Sequence, residues 1–196
     1  MIDAVHAVYP DVHFIVGLPA DDINILSSRA DLVFVMNSSQ MGADMVQQAW
    51  DMGAKTFVYY SFPRHITNTE FYSNRQKAQE KAASLGMKFV YADTLDPAAN
   101  DLNQVSDALQ KDMEHRVSEY GSDTAFFHTN CTLQPTLINT ILKLGAYYPQ
   151  QCCPSPYHGY PEAFSISIPI SSYGDSQSVI TKIKRIIDSQ GGEGHF

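Results

Sequence analysis

Four glycines punctuate the chain at the same point of a repeated pattern. Gly53, Gly86, Gly121 and Gly145 each follow an amphipathic run and stand just before a stretch leading into an extended apolar segment. Glycine tolerates the left-handed backbone that closes a helix, so each marks a helix stop. Strands that alternate with helices in this way run parallel, joined by right-handed crossovers. The predicted fold class is therefore α/β, with Rossmann-like doubly wound parallel sheets.

The elements between the glycines agree with that rhythm. Val12–Leu18, Asp31–Met36, Thr56–Tyr60, Met87–Ala92 and the run opening at Thr124 read as strands; Asp31–Met36 is continuous in apolar residues rather than alternating, as strands covered on both faces are. Helical stripes fall at Met41, Met45, Ala49 and Met52, then at Phe71, Arg75, Ala78, Ala82 and Leu85. Further stripes fall at Leu102, Val105, Leu109, Met113 and Val117, and at Leu133, Leu137, Ile141 and Leu144. Residues 2–9 read as the tail of a helix, Phe164–Ile170 as one more strand and Val179–Ile187 as an amphipathic helix. From Tyr147 to Pro161 the pattern changes to four prolines and four tyrosines in 15 residues, a stiff and irregular segment. The final Gly-Gly-Glu-Gly-His-Phe is expected to be disordered.

Composition removes several function classes. The charge is −8, from 13 Lys and Arg against 21 Asp and Glu, with no basic cluster beyond Lys182–Arg185, so no nucleic-acid partner is expected. No apolar run is long enough to span a bilayer, and no direct membrane insertion is expected. The opening Met-Ile-Asp-Ala-Val-His lacks a charged region followed by an apolar one, so no signal peptide is expected in these residues. Neither a phosphate-cradling glycine loop nor a zinc-ligand spacing is present, and the expected cofactors and metals are none. Cys131, Cys152 and Cys153 read as thiols beside a turn.

Candidate site residues sit where strands end and helices begin, the place where open α/β sheets bind small molecules. There are three such turns: Asn37–Gln40, Ser61–His65 and His128–Gln134. Arg64 offers a planar fork for a carboxylate or a hydroxyl pair, and His65 beside it reads first as a surface or capping residue. Arg75 falls on an inward stripe and therefore needs a partner, either a carboxylate such as Asp93 or a ligand. Thr129, Asn130 and Gln134 supply donors and acceptors for hydroxyls or amides, with a plain helix cap as the alternative for Asn130. Tyr60, Phe62, Tyr157 and Tyr160 are aromatic walls or core. A Cys131 nucleophile served by His128 or His158 is the enzymatic alternative.

The order of elements from about residue 12 to 165 resembles the type 1 periplasmic binding proteins, a two-lobed family that includes sugar binders and repressor effector domains. Phe127-His-Thr-Asn-Cys-Thr-Leu-Gln134 resembles the second-lobe turn that places a ligand-binding Asn before a helix, here Asn130. Thr56–Tyr60 with Ser61–His65 resembles a first-lobe strand whose exit carries a ligand-contacting Arg, here Arg64, and Arg75 resembles a third contact. Sugar binders often set an acidic residue beside that first Arg; Pro63 stands there, which argues against a sugar. Phe62-Pro-Arg-His65, Asp123-Thr-Ala-Phe-Phe127 and Tyr148–Gly159 are more closely similar to a bacterial family of uncharacterised proteins related to these binders.

The resemblance implies a two-lobed solute-binding protein, not an enzyme, that closes on a small polar ligand. Its contacts would be Asn37, Ser61, Arg64, His65, Arg75, Thr129, Asn130 and Gln134, with Ser155 and Tyr157 from the proline-rich segment. It also implies a periplasmic or extracellular location, and a permease or signalling protein as partner. The expected division is a partial first lobe at 1–68, a connecting helix at 69–86, a second lobe at 87–190 and a tail at 191–196. With three strands before residue 69 and none opening the chain, a piece of a longer protein is expected, incomplete at its N-terminus. A ligand-sensing domain of a transcription regulator is a third expectation.

Overall fold

The computed structural model describes residues 1–17, 21–153 and 155–193. Leu18 and Pro19, Pro154 and the last three residues of the expected tail lie outside them. The chain divides into two compact units, Met1–Asn37 and Ser38–Phe196.

The first unit holds two short helices and two short strands. Helix α1 (Ile2–His6) leads to β1 (Ile15–Gly17), α2 (Ile23–Ser27) and β2 (Leu32–Phe34). The strands pair in parallel, Val16 beside Val33. Their outward apolar residues stay open: Ile15 is 69% exposed and Phe34 57%. Asp22 caps α2 by accepting from the N–H groups of Asn24 and Ile25.

The second unit opens on α3 (Ser38–Asp51) and then β3 (Thr56–Ser61). After α4 (Pro63–Ile66), α5 (Thr69–Ser84), β4 (Lys88–Asp93) and α6 (Leu102–Tyr120) comes β5 (Thr124–His128). A 3-10 turn at Cys131–Leu133 leads into α7 (Gln134–Leu144), then α8 (Tyr160–Ala163) and α9 (Ser176–Ser189). The strands form one parallel sheet in the order β4-β3-β5. The four glycine stops are confirmed: all adopt positive φ, and Gly145 closes α7 in the left-handed conformation.

Both faces of β3 and β5 are covered, which is why their sequences carry no alternation. On one face Phe57, Tyr59, Ala125 and Phe127 pack with Met45, Ala49, Ala78 and Ala82 of α3 and α5. On the other, Val58, Tyr60 and Phe126 pack with Leu109, Met113, Leu137 and Ile141 of α6 and α7. Tyr59 and Phe127, paired across the strands, hold their rings 5.1 Å apart. Both tyrosines of β3 find a hydroxyl partner: Tyr59 donates to Asn74 and Tyr60 to Asp112. Helices α3 and α5 approach so closely at Gly42 that a Cβ there would stand 2.0 Å from the Asn74 carbonyl oxygen.

Three expectations change. The expected lobe boundary at 68 falls inside the second unit, where β3 is the central strand between β4 and β5. The buried position of α5 is Asn74, 3% exposed and in line with Ala78 and Ala82, while Arg75 is half-buried at the edge of that face. The expected strand at Phe164–Ile170 is irregular, with a 3-10 turn at Ile170–Ser172. Ile166 and Ile168 pack against the cluster built on Tyr160, Val179 and Ile183, so their alternation serves packing without a ladder.

Candidate functional site

The sheet order puts the topological switch point, where folds of this kind carry their crevice, between β3 and β5. From the end of β3 the chain travels through α5 to β4. From the end of β5 it travels through α7 to Tyr147, which bridges in parallel to Ala125 on the other side of β5. Neighbouring strands whose continuations part in this way mark the place where open α/β sheets bind ligands, and here Ser61 and Thr129 at that place are themselves buried.

Two of the three expected turns meet at those ends. The Ser61 and Thr129 hydroxyls lie 3.0 Å apart, and Thr129 Oγ1 is also 3.0 Å from His65 Nδ1. The imidazole of His65 is fixed by its neighbours, stacked on Phe71 at 4.5 Å and tilted against Phe62 at 4.1 Å. Burial, and then the Arg64 charge, lower its pKa below the usual histidine value, which favours a neutral ring. Arg64 makes a two-pronged ion pair with Asp96, Nε and Nη2 reaching separate carboxylate oxygens at 2.7 and 2.8 Å. That pairing holds the Asp96 carboxyl down at about 2 and leaves the local charge balanced.

Beneath these groups lies a buried histidine. His128 Nδ1 accepts the Asn130 backbone N–H at 2.9 Å, so that nitrogen carries no proton and Nε2 must donate to Thr94 Oγ1 at 3.1 Å. The Thr94 hydroxyl in turn donates to the Ser61 carbonyl. Complete burial, with a smaller push from His65, takes the His128 pKa down to about 3. His128 therefore belongs to the scaffold as a neutral ring.

The remaining candidates divide by what they touch. Asn130 caps the 3-10 turn, its Oδ1 accepting from Thr132 N–H. Gln134 is fully buried; its amide donates to the His128 and Asn130 carbonyls and its oxygen accepts from the Tyr148 hydroxyl. Arg75 lies over two rings, 4.7 Å from the centroid of Tyr91 and 5.1 Å from that of Tyr72, with its buried Nε unpartnered. The ion pair expected with Asp93 is replaced by this stacking, and Asp93 accepts from the Tyr91 hydroxyl instead. Ser155 orders its own turn, accepting the Tyr157 and His158 N–H groups. Tyr157 is half-buried and lines a cavity of about 360 Å³ with Ile168, Tyr173 and Gly174. Tyr60, Phe62 and Tyr160 are core. Asn37 belongs to the first unit and is exposed.

The full length of the chain, residues 1–196, matches the DUF3798 family, described as proteins of unknown function. The chain belongs to that family. Two uncharacterised proteins of Treponema pallidum (strain Nichols) are similar to this DUF3798 chain. One is 30% identical over 141 residues, 69% of the chain and 63% of the relative; the other is 32% identical over 88 residues, 45% of the chain and 40% of the relative. The chain thus spans less than two thirds of the length of these relatives. Among solved structures, one from Clostridium difficile 630, described as a presumed transcriptional regulator, superposes with a TM-score of 0.86 at 22% identity, covering 97% of this chain and 54% of that one. The DUF3798 chain thus has the mixed α/β, parallel-sheet fold of periplasmic-binding-protein-like domains.

Residue spacing gives Cys131, Cys152, Cys153, His128 and His158 no metal-ligand pattern, and a site drawn from them is set aside on sequence alone; the structure of this DUF3798 chain shows the company its cysteines keep. Cys131 leaves β5 beside Asn130, and Cys152 and Cys153 return to it across α7. The Cys131 sulfur is 3.4 Å from that of Cys152 and 3.7 Å from that of Cys153. His158 Nε2 lies 3.3 Å from the Cys152 sulfur. The histidines expected to activate Cys131 are thus committed elsewhere, His128 to the scaffold and His158 to Cys152. Only the backbone path of the proline-rich segment, invisible in residue spacing, brings these four together.

Proposed function

We propose that the chain captures a small polar solute at the carboxyl ends of β3 and β5 and performs no chemistry on it. The observation that carries this reading is the meeting of Ser61, His65 and Thr129 at the parting of the strand connections. The pairing of Arg64 with Asp96 argues against a strong anion held at Arg64, because that charge is already neutralised. Asn130, Arg75, Ser155 and Tyr157 supply further contacts in this reading, and closure around the solute would add affinity. Export to the periplasm or cell surface and delivery to a permease or signalling protein belong to the same proposal.

The test is calorimetric titration of the chain with sugars, nucleosides, amino acids and dicarboxylates. Binding to the folded state also raises the melting temperature by mass action. A polar solute bound by the wild type, weakened at least about tenfold by His65→Ala or Asn130→Ala and recovered chemically unchanged, supports capture. Turnover of the solute, or a preference for dicarboxylates, overturns it.

A second reading is a ligand-sensing domain of a regulator, favoured by the printed description of the Clostridium difficile protein that shares the fold. Under it, the same solute would change the affinity for DNA of a protein that carries this domain, a readout that a transport protein does not give.

A further inference from the structure

We propose that Cys131, Cys152, Cys153 and His158 form a four-ligand site for a single zinc-class divalent ion. All three cysteines of the 196-residue chain enter this cluster, with one histidine, and their four ligand atoms lie within 4.8 Å of one another. A tetrahedral zinc centre has Zn–S bonds of about 2.3 Å and Zn–N bonds of about 2.0–2.1 Å, which place its sulfurs about 3.8 Å apart and its nitrogen about 3.6 Å from each sulfur. The sulfur separations here are 3.4, 3.7 and 4.0 Å, and the Cys152–His158 separation is 3.3 Å. A disulfide needs two sulfurs facing each other. Here three sulfurs lie within 4.0 Å of one another, and an imidazole nitrogen lies within 4.8 Å of all three.

Ligand identity argues for the same ion class. Three thiolates and an imidazole are the soft-to-borderline set that selects zinc and disfavours magnesium or calcium. On binding, each thiol passes its proton to solvent and no electron moves, so the reduced chain and the ion suffice.

The surroundings give the ion work to do. Residues 149–153 and 155–159 have neither strand nor helix, and the segment carries prolines that cannot donate to a ladder. It is held at one end by Gly159, where a Cβ would come within 2.9 Å of Gln134 Cβ on α7. An ion shared with Cys131 would staple its other end to the exit of β5, beside the switch point. His158 is set for this by the turn in which its N–H donates to the Ser155 carbonyl. The site is independent of solute binding, so failure of one proposal leaves the other standing.

The experiment uses the full 196-residue chain, reduced and stripped with chelator, then titrated anaerobically with Co²⁺. Expected are one equivalent bound, sulfur-to-cobalt charge-transfer absorption, a tetrahedral d–d spectrum and displacement by Zn²⁺. Cys153→Ser, at an exposed position, and His158→Asn, at a half-buried one, should each weaken binding beyond the roughly 10–100-fold that loss of a hydrogen-bond partner behind a ligand costs. The surface variant His115→Gln should bind as the parent does. A cooperative melt of each apo variant checks that it is folded. The proposal is overturned if the folded, reduced chain takes up no ion, if both ligand variants bind like the parent, or if the cobalt spectrum is octahedral.

Discussion

The two units use the same local vocabulary and reach different degrees of burial. Ile15-Val-Gly17 and Leu32-Val-Phe34 pair in parallel just as β3 does with β5, yet their alternate residues lie open, while every residue of β3 and β5 is buried. The difference is not in the strands. Helices α3 and α5 cover one face of the second sheet and α6 and α7 the other, whereas α2 in the first unit has no buried residue. An apolar run thus reports that a strand forms, and the helices that follow it decide how much water it escapes.

The largest expected effect tests that contrast directly. Phe57→Ala removes a fully buried ring from the second unit and should cost about 3–5 kcal/mol in urea unfolding. Phe34→Ala removes a ring that is already 57% exposed and should cost less than about 1 kcal/mol. Equal costs for the two would mean that β2 is covered in solution, and the comparison would break.

Two glycines give the next largest difference. At Gly42 an added methyl meets the Asn74 carbonyl, so Gly42→Ala forces α3 and α5 apart and should cost at least about 1–3 kcal/mol. At Gly17 in β1 no described residue lies within 4 Å of the added carbon, and Gly17→Ala should be neutral or slightly stabilising. A neutral Gly42→Ala would show that the helix crossing is looser than the packing of Ala78 and Ala82 implies.

The second unit should also answer to pH through His128. Its folded pKa, about 3, lies below the ordinary 6.5, so the unfolded chain takes up a proton that the folded one refuses. Stability from this residue is complete above about pH 6.5 and is lost as pH falls toward 3, at up to about 1.4 kcal/mol per pH unit. His65, lowered in the same direction, adds to the slope, while Asp96 acts only below the ordinary carboxylate range. His128→Gln should flatten the stability profile between pH 6 and 4, measured by urea midpoints across that range. An unchanged profile would remove His128 from the account.

How much of this was legible in the sequence depends on the distance over which a residue finds its partner. Helix stripes and glycine stops are local, and the helices at 69–85 and 101–120 and the strand ends at Ser61 and His128 follow from them. Arg64 finds Asp96 across 32 residues, and Cys131 finds Cys152 across 21, through folding that periodicity does not encode. Arg75 was misplaced for a chemical reason. An apolar stripe is read by excluding polar residues, and that passed over Asn74, whose amide is buried because it serves Tyr59 and the Ser38 carbonyl.

The smallest effect is also the closest match of chemistry in two settings. Asn68 caps α5 by accepting the Glu70 N–H at 2.8 Å, and Asp22 caps α2 by accepting the Asn24 N–H at the same distance. Removing a cap typically costs about 1 kcal/mol, but only if the helix it opens is part of what unfolds cooperatively. Helix α5 buries Asn74, Ala78 and Ala82, so Asn68→Ala should lower global stability by about that amount. Helix α2 has five residues and buries none, so Asp22→Ala should leave the main unfolding transition unmoved and appear only as faster hydrogen exchange near residues 24–28. Should Asp22→Ala instead shift the main transition as far as Asn68→Ala does, the first unit unfolds together with the second, and its open strands are held by more than their own contacts.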